Sequence, residues 1–195
     1  MTFGAPLAPH RHEFVLRRDR AVLVIVDVQE RLLAEVARRD AVAANVVKLA
    51  RAAAVLGLPV VVTEHAAKVF GPTAESVRRE IPAAAIQKTV FSCFGVEEFR
   101  ERVKSIGRAQ LVVAGLETHI CVCQTALDAI AQGYSVHVAR DACSARGESD
   151  HAAGIEKMSA AGAVPSTTEM AIFELLERAG TAEFRALLPL IKARS

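Results

Sequence analysis

The sequence has no tryptophan and a single tyrosine. A surface for single-stranded nucleic acid would have few aromatic rings to stack bases on. It also lacks an excess of charge of either sign, with 24 Lys and Arg against 22 Asp and Glu. A net charge of +2 gives no electrostatic ground for a nucleic-acid or anionic-membrane partner. Long hydrophobic runs are missing. The longest, residues 52–62, is broken by Gly57 and Pro59 and falls short of the roughly 18 residues that span a bilayer. The N-terminal stretch MTFGAPLAPHRHEFVLRRDR has no apolar h-region and ends in charges, so no secretory signal is expected. Cysteine is sparse. Four in 195 residues do not make the framework of a small secreted disulfide scaffold. They read as free thiols in a reducing compartment, and a cytoplasmic protein is expected. Several motifs are absent too: no G-x-G-x-x-G follows the first apolar run, and no Walker A, HExxH or GxSxG pattern occurs.

What is present suits one domain with a substantial core, since 52% of the chain is hydrophobic. Ala21 to Val26 (AVLVIV) is a continuous apolar run of the kind buried on both faces of a parallel sheet. Further strands are expected at residues 60–63, 84–88, 111–114, 134–139 and 163–165. Helices are expected at residues 40–56, 96–106, 118–132, 150–161, 168–178 and 181–192, several of them stopped by glycine. Residues 65–83 read as a loop with at most a short helix. Strands alternating with helices at this spacing predict an α/β fold with a mostly parallel, doubly wound sheet. Residues 1–18 read as a loosely held arm and residues 19–195 as the domain.

In such a sheet, ligands bind beyond the carboxyl ends of the strands, where the strand order reverses. Three reactive residues fall at strand ends: Asp27 after the first, Lys88 at the third, and Cys121 just past the fourth. With Thr118 as a cap, Cys121 would sit in the first helical turn, where the helix dipole favours a thiolate. A nearby lysine would lower the thiol pKa further, and a carboxylate could take its proton. Cys123 is turned roughly 200° away on that helix, and Cys93 and Cys143 fall in expected loops. Spacing alone leaves simpler roles open. An Asp after a strand often caps the next segment, a lone lysine is commonly solvated, and cysteine packs as a small hydrophobe. His119 with Cys123, and Glu64 with His65, are isolated pairs that lack an evident third metal ligand. Glu64, Phe91 and His119 are candidates for the substrate pocket from their strand-end positions.

The segments VIVDVQERLL around Asp27, IQKTVFSCF around Lys88 and VVAGLETHICVCQTALDAIAQGY around Cys121 resemble the isochorismatase-like cysteine hydrolase superfamily. So do VARDACSAR and MSAAGAVPSTTE, and the resemblance runs from about Arg20 to Ile191. The TEH…GPT stretch, KTVFSCF and DACSAR are most similar to the isochorismatase-domain-containing branch, whose substrates are unassigned. The resemblance implies a Rossmann-like six-stranded parallel sheet of order 3-2-1-4-5-6, with helices on both faces. It implies a catalytic triad of Asp27, Lys88 and Cys121. It also implies a non-proline cis peptide at Leu116–Glu117, which would turn the Glu117 N–H, with that of Cys121, toward a developing oxyanion. The implied activity is hydrolysis of a small molecule at a C–N, amide-type bond through a thioester, without a cofactor. Homo-oligomers, dimers or higher, are common in this family.

Departures from the family pattern narrow the expectation. Nicotinamidases usually hold a metal with an Asp and several His past the second strand. TEHAAKVFGPT offers only Glu64 and His65, so neither a metal nor nicotinamide is expected. True isochorismatases cleave a vinyl ether and often lack the cysteine, and Cys121 argues against that substrate. Many relatives carry Thr-Asp where this chain has Thr118-His119. Two rival classes share the same residues: a catalytically silent small-molecule-binding or redox-responsive protein, and a non-enzymatic oligomeric scaffold.

Overall fold

The computed structural model describes residues 11–193. Six parallel strands form one sheet: β1 (Ala21–Val26), β2 (Val60–His65), β3 (Ile86–Lys88), β4 (Gln110–Leu116), β5 (Ser135–Ser144) and β6 (Val164–Ser166). Their order is β3-β2-β1-β4-β5-β6, as the resemblance implied, in the parallel sheet that the sequence pattern led us to expect. The order reverses between β1 and β4, so Asp27 and the turn after β4 emerge side by side.

All six residues of β1 are buried, and strand alternation divides them between two cores. Ala21, Leu23 and Ile25 join one cluster; Val22, Val24 and Val26 join the other. The first cluster is closed by α1 (Glu30–Glu35), α2 (Arg39–Leu56), α4 (Glu75–Arg78), α8 (Thr168–Leu176) and α9 (Ala182–Lys192). The short α3 (Ala67–Phe70) lies between β2 and α4. The second cluster is closed by α5 (Glu97–Ile106), α6 (Cys123–Ala131) and α7 (Glu148–Ala160). Phe99 of α5 and Met158 of α7 are almost wholly buried there. Burying a side chain of that size contributes about 1.5–3 kcal/mol.

Several boundaries differ from the expected ones. Residues 65–83 hold the end of β2 and two short helices rather than mainly loop. β5 runs on to Ser144, so Cys143 is a buried strand residue and not a loop residue. The strand continues because its pairing with β4 shifts register between Val113 and Gly115. In the extra residues, the Asp141 carboxylate accepts hydrogen bonds from Thr168 N (2.7 Å) and Thr168 Oγ1 (3.1 Å). Cys93 is likewise buried, in a 3-10 turn at Cys93–Gly95.

Of the arm expected over 1–18, residues 1–10, including His10, lie outside the described residues. His12 is exposed. Leu16 is fully buried, its N–H donates to Glu174 Oε2 (2.9 Å), and Arg17 N donates to Gln110 Oε1 (2.8 Å). The described end of the arm is therefore tied to α8 and β4. Among the described residues, no helix is long and apolar enough to cross a membrane.

Candidate active site

Asp27 leaves β1 in the left-handed region, at φ 52°, which turns the carboxylate under the carboxyl edge of the sheet. Aspartate tolerates that conformation better than most residues. The side chain is fully buried, and both oxygens are engaged. Oδ1 accepts from Thr63 Oγ1 at 2.8 Å, and Oδ2 lies 2.6 Å from Lys88 Nζ. Lys88, at the end of β3, also donates to the carbonyls of Val90 (3.2 Å) and Phe91 (2.9 Å). Burial is the largest single effect and works against the ammonium, but the charge and hydrogen bond of Asp27, together with the Cys121 and Cys93 sulfurs, outweigh it and hold Lys88 above the ordinary lysine range.

Cys121 completes the group. A cysteine sulfur, an Asp27 oxygen and a His65 ring nitrogen all lie within 4.8 Å of one another. The cysteine is 6% exposed. Its backbone is not in the first turn of a capped α-helix, as expected. It lies in a π-type turn at Thr118–Val122, where Val122 N donates to Glu117 O at 3.3 Å. Thr118 does not cap. Its hydroxyl pairs instead with His151 Nδ1 of α7, at 2.8 Å. The thiol is not acidified either. Burial, then the Asp27 charge, pushes it up to about 12, and Lys88 offsets only part of this. The resting group is a thiol beside a buried carboxylate, not a free thiolate.

Two glycines fix how closely these parts approach. A Cβ on Gly115 would sit 2.0 Å from the Val26 carbonyl oxygen, so only glycine lets β4 pass β1 here. A Cβ on Gly154 of α7 would lie 2.9 Å from His119 Cα, so α7 buttresses the cysteine turn backbone to backbone. The Leu116–Glu117 peptide is cis. The Glu117 carboxylate accepts from Arg146 N (3.1 Å) and Arg146 Nε (3.2 Å).

The three pocket candidates separate. Phe91 reaches the site: its carbonyl accepts from Lys88, and its ring, on a residue 51% exposed, stacks on His65 at 5.6 Å. Glu64 does not. Strand alternation turns it away from Thr63 and His65. Its carboxylate accepts from Thr73 N, Thr73 Oγ1 and Gln87 Nε2, each at 2.7 Å. It lines a separate hollow of about 520 Å³ with Arg78, Arg79 and Ile81. His119 is half-buried, and its Nδ1 has no hydrogen-bond partner.

Residues that the sequence reading did not assign to the site complete it. His65 lies between Phe70 (5.8 Å) and Phe91, both stacked. Gln29 pins its backbone: His65 N donates to Gln29 Oε1 (2.7 Å), and Gln29 Nε2 donates to His65 O (3.1 Å). Cys93 Sγ lies 3.6 Å from the Thr63 hydroxyl that holds Asp27, and burial pushes this second thiol up to about 11. Asp27, His65 and Cys121 form, among the described residues, the one trio close enough to share a metal ion. Yet the Lys88 ammonium already faces Asp27 at 2.6 Å, and a divalent ion would have to sit against that charge.

The model of the isochorismatase domain matches residues 21–170 of the chain. The chain belongs to the isochorismatase family. Isochorismatase domain-containing protein 2A of Mus musculus is 29% identical over 177 residues, covering 89% of this chain and 84% of its own. The YcaC gene product of Escherichia coli, described as an octameric hydrolase of unknown specificity, is 28% identical. It superimposes with a TM-score of 0.87 over 94% of this chain and 93% of its own. YcaC from Pseudomonas aeruginosa, solved with hexane-2,5-diol and covalent acrylamide, is 27% identical. Its TM-score is also 0.87, over 94% of each chain. The isochorismatase domain described here thus has the fold of a hydrolase family.

Proposed function

We propose that this isochorismatase domain is a cysteine-dependent hydrolase that cleaves a C–N, amide-type bond in a small molecule. The observation that carries this reading is the buried Asp27–Lys88 ion pair, 2.6 Å long, set beside the Cys121 thiol. Asp27 takes the proton from Cys121 as sulfur attacks the carbonyl carbon and the C–S bond forms. Lys88 faces the negative charge throughout. The backbone N–H groups of Glu117 and Cys121 hold the developing oxyanion. The C–N bond breaks as Asp27 returns the proton to the departing amine, and water then cleaves the thioester. A thiol raised to about 12 suits this order of events, because deprotonation accompanies attack and does not precede it.

A relative of the same fold carries covalent acrylamide, an electrophile that thiols take up, which supports a reactive nucleophile in this fold. A hollow of about 760 Å³ is lined by Lys88 with Ala66, Val69, Val90 and Val96; Asp27, His65 and Cys121 are not in its lining, so it flanks the site and does not hold the thiol. The near-neutral charge gives no attraction for nucleic acid. All four cysteines are free, which suits a reducing, cytoplasmic setting. The octamer described for the Escherichia coli relative supports a homo-oligomer here as well.

One observation favours a second reading. A thiol at about 12 in a nearly closed site would also suit a silent binding or redox-responsive protein. Amine release from a panel of small amides, compared between the native protein and Cys121→Ala, separates the two. Turnover lost with Cys121 supports the hydrolase. Turnover unchanged in Cys121→Ala sinks it, and no turnover on any amide, ester or urea favours the binding protein.

A further inference from the structure

His65 is placed as no structural histidine needs to be. It follows Thr63 on the same face of β2, at the strand's carboxyl end beside Asp27. Its ring is held between Phe70 and Phe91, and its backbone is pinned by Gln29 on both sides. Burial, then the positive charge of Lys88, pulls its pKa below the ordinary histidine value, so the imidazole is neutral near pH 7. Nδ1 is buried without a hydrogen-bond partner. A neutral imidazole that carries its proton on Nε2 keeps Nδ1 as a proton acceptor. Asp27 Oδ1 accepts from Thr63, and Oδ2, which has no hydrogen-bond partner either, lies against the Lys88 ammonium.

We infer that His65 is the general base for the water that hydrolyses the acyl group on Cys121. This rests on the cysteine-hydrolase reading above and assigns a residue to its second half. Water attacks the thioester carbon, and its proton passes to the imidazole as the C–O bond forms. The C–S bond then breaks. The imidazolium gives the proton to the departing sulfur, which restores the Cys121 thiol and a neutral His65, and the carboxylic acid leaves. Asp27 serves the first half and His65 the second, so neither has to change its partners between the two.

The test uses p-nitrophenyl acetate as acyl donor, with nitrophenolate release followed in time and intact mass read on quenched samples. His65→Phe keeps a ring between Phe70 and Phe91 but has no basic nitrogen, and His65→Gln removes the ring. Both variants are expected to release a first burst of nitrophenolate, which also reports a folded site. Both should then hold the acetyl group on Cys121, with deacylation slowed on the order of 100-fold, as for loss of a general base. Added imidazole should shorten the lifetime of the adduct in His65→Ala. Deacylation of His65→Phe at the native rate would show that the ring serves only to pack and would overturn the assignment. A His65→Phe protein that no longer acylates would place His65 in the first half and overturn it as well. Both results leave the cysteine-hydrolase reading intact. If neither the native protein nor any His65 variant ever carries acetyl on Cys121, that reading falls, and this one with it.

Discussion

Lys88 Nζ lies 2.6 Å from Asp27 Oδ2, and neither side chain is open to water. Removing one partner of such a pair leaves the other charge buried and uncompensated, at a cost of about 3–5 kcal/mol. Lys88→Met should therefore lower the urea midpoint sharply, as well as turnover. The pair also sets an upper pH limit. Lys88 is held above its ordinary 10.5, so its stabilisation is complete below about that pH and is lost as pH rises through the folded value. Urea midpoints taken upward from about pH 10, near the ordinary lysine pKa, should fall in the native protein and stay flatter in Lys88→Met. Parallel curves would dissociate the alkaline loss from Lys88.

At the acid end the controlling group is His137 on β5. It is fully buried, its Nε2 meets Ser135 Oγ at 3.4 Å, and its Nδ1 has no partner. Burial pushes its imidazole down to about 4. The unfolded chain takes this proton near 6.5, and the native chain only near 4. Stability is therefore complete above the unfolded value and is lost as pH falls from about 6.5 toward 4. At about 1.4 kcal/mol per pKa unit the upper limit is about 3–4 kcal/mol. His65 and His151 are shifted in the same direction and add to the slope. His137→Phe should lose less stability than the native protein between pH 7 and pH 5, a window set by the ordinary histidine value. Equal losses by urea titration would clear His137 of the effect.

The sheet was legible because β1 is apolar at every position and must be covered on both faces. Parallel winding then brings Asp27 next to the turn after β4, and so to Cys121. Less came through where tertiary packing overrides local pattern. α1 has no capping side chain and no buried residue, so its six residues carry little helical signature. The π-type turn rests on an i to i+5 bond that a 3.6-residue period does not reveal. The thiol's acidity was read from helix position and a nearby lysine, whereas burial and Asp27 decide it. Alternation along β2 did hold usable information. Thr63 faces Asp27, so His65, and not Glu64, had to share that face. Gly154 gave no signal at all, since its role is an approach between segments distant in sequence.

That approach makes Gly154 a sensitive position. A methyl group there would meet His119 Cα at 2.9 Å, His119 N at 3.0 Å and Thr118 C at 3.1 Å, all of them backbone atoms. Either α7 backs away or the cysteine turn moves. Overpacking of this kind costs about 1–3 kcal/mol, while a 1 Å displacement of a catalytic group can cost on the order of 100-fold in rate. Gly154→Ala should therefore lose far more activity than its fall in thermal midpoint explains. A variant with native kcat and a lowered midpoint would show that the turn holds its place and α7 yields.

The raised thiol yields a prediction in which reactivity and turnover move in opposite directions. The Asp27 charge is the second cause, after burial, that pushes Cys121 up to about 12, and Lys88 works against both. Asp27→Asn removes the negative charge and frees the Lys88 ammonium to face sulfur alone. The thiolate should then form at lower pH, and iodoacetamide should alkylate Cys121 faster at neutral pH than in the native protein. Hydrolysis should nonetheless fall by about 100-fold or more, because the group that takes and returns the proton is gone. Intact mass after alkylation and amine release from the same preparation read the two effects together. Slower alkylation in Asp27→Asn would mean that the carboxylate supports the thiolate rather than opposing it. Unchanged turnover would remove Asp27 from the proton path.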